Sequence, residues 1–361
     1  MTKHILPAIL SCSGYILTDT EKRFFAKHKP VGINLFARNI QNKEQIKKLI
    51  SEIKQTIESD DILIAIDQEG GRVRRLTEPE FRSYAAAIDI GKLPFADACK
   101  AAKLHASLIS ADFQELGINV NYAPVLDIAY PQTSEALKSR CFGTTPELVT
   151  ALGKQMINTY LQNGILPCIK HIPGHGRSAT DPHLHLPFLN YSLAELETDF
   201  LPFRQLNQCP LGMTAHIVIP EIDSLNPLTH SSTGINKIIR QTIGFDGFLI
   251  SDAIDMKALQ GTSGQKAARA ISAGCDAICY ALGNIEEMQD IAASLPPLSD
   301  ISAERLSRAK KLLNNKTTNT NIEAQAQEYQ FIMKNVSPYQ ETYDATEVLN
   351  HLLQNTNHKG D

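Results

Sequence analysis

The sequence predicts an α/β protein, a single (β/α)8 TIM barrel followed by a short helical extension. Three observations predict it. Eight short apolar runs recur between residues 7 and 282, and segments with helical spacing lie between most of them. The runs are too continuously apolar for one-sided strands, so the sheet they form is parallel and covered by helices. Titratable residues close five of the eight runs, at the strand ends where such a barrel carries its chemistry. An open doubly wound sheet is the competing architecture, but no GxGxxG follows the first run.

The elements follow in order. PAILSCS (7–13) and GINLFA (32–37) read as the first two strands. NKEQIKKLISEIKQTI (42–57) reads as a helix, opened by an Asn42 cap with apolar residues at helical spacing. ILIAID (62–67) and VNYAPVLD (120–127) are the third and fourth strands, closing on Asp67 and Asp127. TPELVTALGKQMINTYLQ (145–162) has a Thr145 cap and Pro146 at the first helical position, and it stops near Gly164. ILPCIKH (165–171) is the fifth strand, ending on Lys170 and His171. SLAELETDFLPFRQL (192–206) opens with a Ser192–Glu195 capping box. GMTAHIVI (212–219) contains His216, GFLISD (247–252) ends on Asp252, and AICYAL (277–282) is the eighth strand. AERLSRAKKLLN (303–314) completes the barrel, giving a catalytic domain over 1–315. TTNTN (317–321) then reads as a linker. The helical spacing of 322–354 makes 316–361 an extension that packs on the barrel wall, contacts a second copy or forms a disordered tail, with a monomer the expectation.

Composition narrows the function. The 361 residues are 43% hydrophobic and 20% charged, an ordinary globular balance, with net charge -4 and no basic stripe that would suit nucleic acid. Seven scattered cysteines, odd in number, argue against a disulfide framework and for a reducing cytoplasm. MTKHILPAILSC faintly resembles a lipoprotein signal, but its apolar run is short and holds Pro7, so a first strand is the better reading. No run approaches the ~18 apolar residues of a membrane span.

The densest segment is KHIPGHGRSATDPHLHLP (170–187), which gathers Lys170, His171, His175, Asp181, His183 and His185 after an apolar strand. So many titratable groups are costly to bury for packing alone. With Asp67, Asp127, His216 and Asp252 they converge on one barrel face, as a polar-substrate site requires. GxSxG, P-loop and CxxC motifs are absent from the sequence. Two reaction classes survive. One is glycosyl transfer by a carboxylate nucleophile with a separate proton donor; the other is metal-assisted hydrolysis through the histidines. The first strand ends in SCSG with no HxH pair, so no metal and no cofactor are expected.

The motifs carry a resemblance. IDQEGGRVRR (66–75), NYAPVLDI (121–128), KHIPGHG…DPH (170–183) and ISDAIDM (250–256), supported by SRCFG (139–143) and MTAH (213–216), resemble the β-N-acetylglucosaminidases of glycoside hydrolase family 3, of the NagZ type. The resemblance implies a retaining exo-β-N-acetylglucosaminidase with Asp252 as nucleophile and His183, paired with Asp181, as general acid/base. It implies sugar contacts from Asp67, Arg75, Asp127, Arg140, Lys170, His171 and His216, with Asp127 a plausible partner for Lys170. Pro182 stands between the paired Asp181 and His183 where Ser is more usual, and it removes a backbone N–H. The implied substrate is a peptidoglycan-derived muropeptide, GlcNAc-β-1,4-anhydroMurNAc with or without peptide, cleaved during cytoplasmic cell-wall recycling. Larger members of the family take their acid/base from a further domain, which this chain is too short to hold. Substrate-assisted hexosaminidases typically use an adjacent Asp-Glu pair, and no Asp-Glu dipeptide occurs here. Other family 3 glycosidases, a phosphorylase, a metal-dependent barrel hydrolase and an inactive sugar-binding barrel are the alternatives.

Overall fold

A computed structural model describes residues 5–180, 185–314 and 321–340. Eight parallel strands close a barrel in sequence order. They are β1 (Leu6–Ser11), β2 (Pro30–Leu35), β3 (Leu63–Ile66), β4 (Val120–Asn121), β5 (Leu166–Ile172), β6 (Leu211–Thr214), β7 (Phe248–Ala253) and β8 (Ala277–Cys279). Closure is made where Ile9 of β1 pairs with both Gly32 of β2 and Cys279 of β8.

Two layers of apolar side chains explain the strand composition. One set, including Ile9, Leu63, Val120, Leu166, Leu211, Phe248 and Ala277, fills the barrel interior. The other, including Leu10, Ile33, Ile64, Ile169, Leu249 and Ile278, packs against the surrounding helices. Strands buried on both faces lose the alternation of one-sided sheets. Leu306 and Ala309, on the helix Asp300–Lys311, join the interior set. That helix plugs the end of the barrel where the strands begin, so the strand C-termini are the open end.

The expected helices form with their expected caps. Asn42 accepts from the Gln45 N–H at the start of Lys43–Ile57. Thr145 opens Pro146–Gln162, and the Ser192–Glu195 capping box opens Leu193–Gln205. The final barrel helix starts three residues earlier than AERLS, at Asp300, because Ser299 caps it.

Some expectations need correction. The fourth strand was expected over 120–127, yet regular pairing ends at Asn121. Pro124 has no N–H to donate, and the chain continues beside β5 through irregular bonds, Cys168 N to Ala123 O and Leu126 N to Lys170 O. The sixth strand stops at Thr214, short of His216. The longest helix, Phe95–Leu116 at 22 residues, is buried over much of its circumference and has no polar cap at Pro94, so it lacks the start signal that marks the helices above. Within the extension, Ile322–Met333 is helical and lies along that long helix, with Ser107 donating to Gln325 at 2.8 Å and Lys100 paired to Glu328 at 2.5 Å.

Candidate active site

One cavity at the open end is lined by Asp67, Arg75, Arg140, Lys170, His171 and Asp252, all expected from the sequence to meet there. Each hangs on a strand end or on the loop that follows it. Lys170 and His171 are adjacent on β5, and the peptide between them is cis. Both line the cavity, although neighbouring strand residues ordinarily face opposite sides.

A charged wall runs across the ends of β3, β4 and β5. Lys170 is 2% exposed, and its Nζ lies 2.8 Å from Asp67 Oδ1 and 2.6 Å from Glu69 Oε1. Arg140 grips Glu69 with two hydrogen bonds of 2.8 Å, the bidentate geometry that suits guanidinium and carboxylate. Arg75 reaches Asp67 Oδ2 at 3.4 Å. Burial alone would raise the Asp67 and Glu69 carboxyls, but Lys170 with Arg75 or Arg140 overrides it and holds both below the usual carboxylate range. Burial likewise opposes the charge on Lys170, and Asp67 and Glu69 overcome it and raise its pKa. The wall therefore stays ionised although nearly dry.

Asp127 does not pair with Lys170 as expected. It is fully buried and accepts from His171 Nδ1 at 2.7 Å and from the His175 backbone N–H at 2.6 Å. The stop of β4 at Asn121 carries it behind the wall, where it orients the His171 ring and leaves Nε2 3.3 Å from Arg140 Nη2. Asp127 is a positioning group rather than a lining one. His175 also lines the cavity, and burial holds its imidazole down to about 4.

The opposite wall is built around β7. Asp252 is 8% exposed; its Oδ1 accepts from the Ala253 N–H at 2.8 Å, and its own N–H reaches Thr214 Oγ1 at 3.4 Å. Thr214 bonds Thr229 at 2.8 Å, Thr229 bonds His216 Nδ1 at 2.8 Å, and His216 Nε2 donates to the Ala253 carbonyl at 3.1 Å. His216 was expected to contact sugar. It is instead buried outside the cavity lining, in a chain of bonds that runs from the Asp252 N–H to the Ala253 carbonyl. Asp255 accepts from the Ala281 N–H at 2.7 Å. His185, a rival proton donor, is exposed and does not line the cavity. Asp181, Pro182 and His183 lie outside the described residues.

Glu69 was not singled out from the sequence, though it stands two residues after Asp67, on the same side of an extended chain. Its backbone is also held. Gly70 has φ +105, and a Cβ there would stand 2.9 Å from His105 Cε1, so only glycine fits. His105, wholly buried, donates from Nε2 to the Glu69 carbonyl at 2.9 Å and meets the Tyr329 hydroxyl at 3.1 Å on Nδ1. The same hydroxyl accepts from the Ala85 N–H at 3.2 Å. The extension thus reaches the turn that presents Glu69. Among the described residues no cluster of three or more His, Cys, Asp or Glu could hold a metal ion.

Comparison with known proteins agrees with this geometry. The family described as Glycosyl hydrolase family 3 N terminal domain matches residues 10–313. A Beta-hexosaminidase of Chromobacterium violaceum is 34% identical over 312 residues, 84% of this chain and 86% of its own. The structure of NagZ from Neisseria gonorrhoeae in complex with N-trifluoroacetyl-D-glucosamine superposes with a TM-score of 0.81 at 29% identity, covering 92% of this chain and 98% of its own. A glycoside hydrolase family 3 beta-N-acetylglucosaminidase from Paenibacillus sp. str. FPU-7 gives a TM-score of 0.81 at 26% identity, covering 94% and 70%. The eight-stranded barrel, the facing charged and carboxylate walls and these relatives place the chain in glycosyl hydrolase family 3, as a glycoside hydrolase.

Proposed function

We propose that the protein is a retaining exo-β-N-acetylglucosaminidase that removes non-reducing N-acetylglucosamine from muropeptides such as GlcNAc-β-1,4-anhydroMurNAc. The observation that carries the reading is one cavity lined by the charged groups of β3–β5 and by Asp252 at the end of β7. Relatives named Beta-hexosaminidase and NagZ support the amino-sugar preference.

The reaction runs as a double displacement. Asp67, Lys170, Arg140 and His171 accept and donate hydrogen bonds to the sugar hydroxyls; Asp127 and Glu69 keep them in place. An Asp252 carboxylate oxygen attacks the anomeric carbon and forms the glycosyl–enzyme ester as the bond to the leaving oxygen breaks. His183, oriented by Asp181, gives its proton to that oxygen. It then takes a proton from water, whose oxygen attacks the same carbon and frees the Asp252 carboxylate. Imidazole suits both steps because its ordinary pKa lies near neutrality.

The enzyme acts in the cytoplasm as a monomer in cell-wall recycling. All seven cysteines are free thiols, six of them buried, which fits a reducing compartment. Among the described residues no helix is long and apolar enough to cross a membrane. Residues 322–333 are engaged with their own barrel, which supports the monomer.

The test is substrate choice. Turnover of 4-nitrophenyl N-acetyl-β-glucosaminide well above that of the matching glucoside and xyloside is expected, with the β-anomer of N-acetylglucosamine released first. Preference for the anhydromuropeptide over chitobiose supports the recycling role. Release of the α-anomer, or equal rates on all three aryl glycosides, contradicts the proposal.

A further inference from the structure

Residues 321–340 lie beyond the 10–313 stretch that matches the family, and the proposed reaction uses none of them. They nevertheless close from two sides on one ion pair of the charged wall, Glu69–Arg140. Glu69 comes from the turn after β3, and Arg140 follows the short helix Glu135–Lys138. Glu69 also holds Lys170 at 2.6 Å, and Arg140 Nη2 stands 3.3 Å from His171 Nε2. The placing of this pair therefore bears on both β5 residues that line the cavity.

The first arm is Tyr329. Its hydroxyl accepts from the Ala85 N–H at 3.2 Å and donates to His105 Nδ1 at 3.1 Å, and His105 Nε2 donates to the Glu69 carbonyl at 2.9 Å. Tyr329, His105 and Glu69 are all buried. Burial keeps the imidazole neutral, so each ring nitrogen has one role. A shift anywhere along the chain would leave a buried polar group unpaired, which is costly. The Glu69 peptide is thereby tied to the extension.

The second arm is Tyr339. Its backbone N–H lies 3.0 and 3.2 Å from the two Asp89 carboxylate oxygens, and its hydroxyl donates to Glu135 Oε2 at 3.1 Å. Asp89 sits on the helix Ala87–Gly91, which abuts the Arg140 segment. There the Ile88 N–H donates to the Ser139 carbonyl at 3.2 Å, and Gly91 lies so close to the Phe142 carbonyl that no Cβ fits between them. Glu135 opens the short helix that runs into Arg140, whose own N–H donates to the Leu137 carbonyl at 2.9 Å. Tyr339 thus holds both neighbours of the Arg140 segment.

We propose that the C-terminal extension is a positioning element of the sugar-binding wall, with Tyr329 setting the Glu69 side of the Glu69–Arg140 pair and Tyr339 the Arg140 side. Two parallel guanidinium–carboxylate bonds demand that both backbones stay in register, and each arm fixes one of them. Both arms end on the wall that grips the sugar, whereas the proposed nucleophile stands on β7. Loosening an arm therefore weakens the hold on substrate more than it slows the attack.

This rests on the sugar-binding reading of the cavity, and the experiment separates the two. Tyr329→Phe and Tyr339→Ala are made in the full chain, alone and with Arg140→Gln, and assayed with 4-nitrophenyl N-acetyl-β-glucosaminide, with thermal melting to confirm folding. With Arg140 present, each is expected to raise KM about two- to fivefold and to leave kcat within about twofold. With the pair already broken by Arg140→Gln, the same changes should raise KM by less than about 1.5-fold, because residues that act through one contact do not add. Glu69→Gln breaks the pair from the other side and serves as the background if Arg140→Gln does not fold. An equal rise in KM in both backgrounds, as general loosening of the fold would give, overturns the proposal. So does an unchanged KM with Arg140 present, or a loss confined to kcat. Failure of the wild type to turn over the substrate overturns the sugar-binding reading itself, and the proposal with it.

Discussion

The two walls of the cavity are built on opposite principles. Across β3–β5, charge holds charge: Lys170 sits between Asp67 and Glu69, and Arg140 clamps Glu69 from the other side. Around β7, the backbone of the carboxylate-bearing residue is fixed by a chain of hydrogen bonds through Thr214, Thr229 and His216. The difference follows from what each wall does in the proposed mechanism. Groups that grip hydroxyls gain from neighbours that keep them ionised and aimed. In the proposed mechanism the Asp252 carboxylate meets positive charge developing at the anomeric carbon, and hydrogen bonds that fix its backbone keep it aimed at that carbon.

The contrast can be broken from either side. The largest effect is expected at Asp252→Asn, which should lower kcat by about a thousandfold or more while the binding constant for N-acetylglucosamine changes little. Loss of binding with retained turnover would reverse the roles of the walls. Next is Glu69→Gln, which leaves Lys170 and Arg140 buried with one fixed charge fewer. It should cost about 3–5 kcal/mol in urea unfolding and raise KM more than it lowers kcat.

Acid should weaken the fold through two buried imidazoles. Burial holds His105 and His175 down to about 4 from an ordinary 6.5. Between those values the unfolded chain binds protons that the folded chain refuses, so their contribution is full above pH 6.5 and is lost as pH falls towards 4. On the order of 3 kcal/mol is at stake for each. Urea midpoints measured from pH 7 to 5 should fall, and His105→Gln should flatten the curve. The smallest effect is expected at Tyr329→Phe, which removes the hydroxyl joining His105 to Ala85. A loss of about 1 kcal/mol with a modest rise in KM would show that the extension steadies the charged wall from outside.

The barrel was legible because strands buried on both faces and capped helices leave plain patterns, as at ILIAID and at Ser192–Glu195. The helix Phe95–Leu116 was missed because no polar cap marks its start at Pro94. The cavity-lining residues at strand ends could be read from position. Their pairings could not: Lys170 pairs with Asp67 and Glu69 rather than Asp127, because β4 ends at Asn121 and carries Asp127 behind the wall. His216 looked like a sugar contact for the same reason, since nothing in MTAH tells that β6 stops two residues earlier.

In the proposed mechanism Asp252 attacks the sugar held by the charged wall. Inactivating the enzyme with a 5-fluoro-N-acetylglucosaminyl fluoride and mapping the label by peptide mass spectrometry tests this attack. One sugar per chain is expected, on the peptide containing Asp252 and on that residue, with inactivation slowed by N-acetylglucosamine. A label on any other residue, or turnover of the reagent by the Asp252→Asn variant at the wild-type rate, would contradict it.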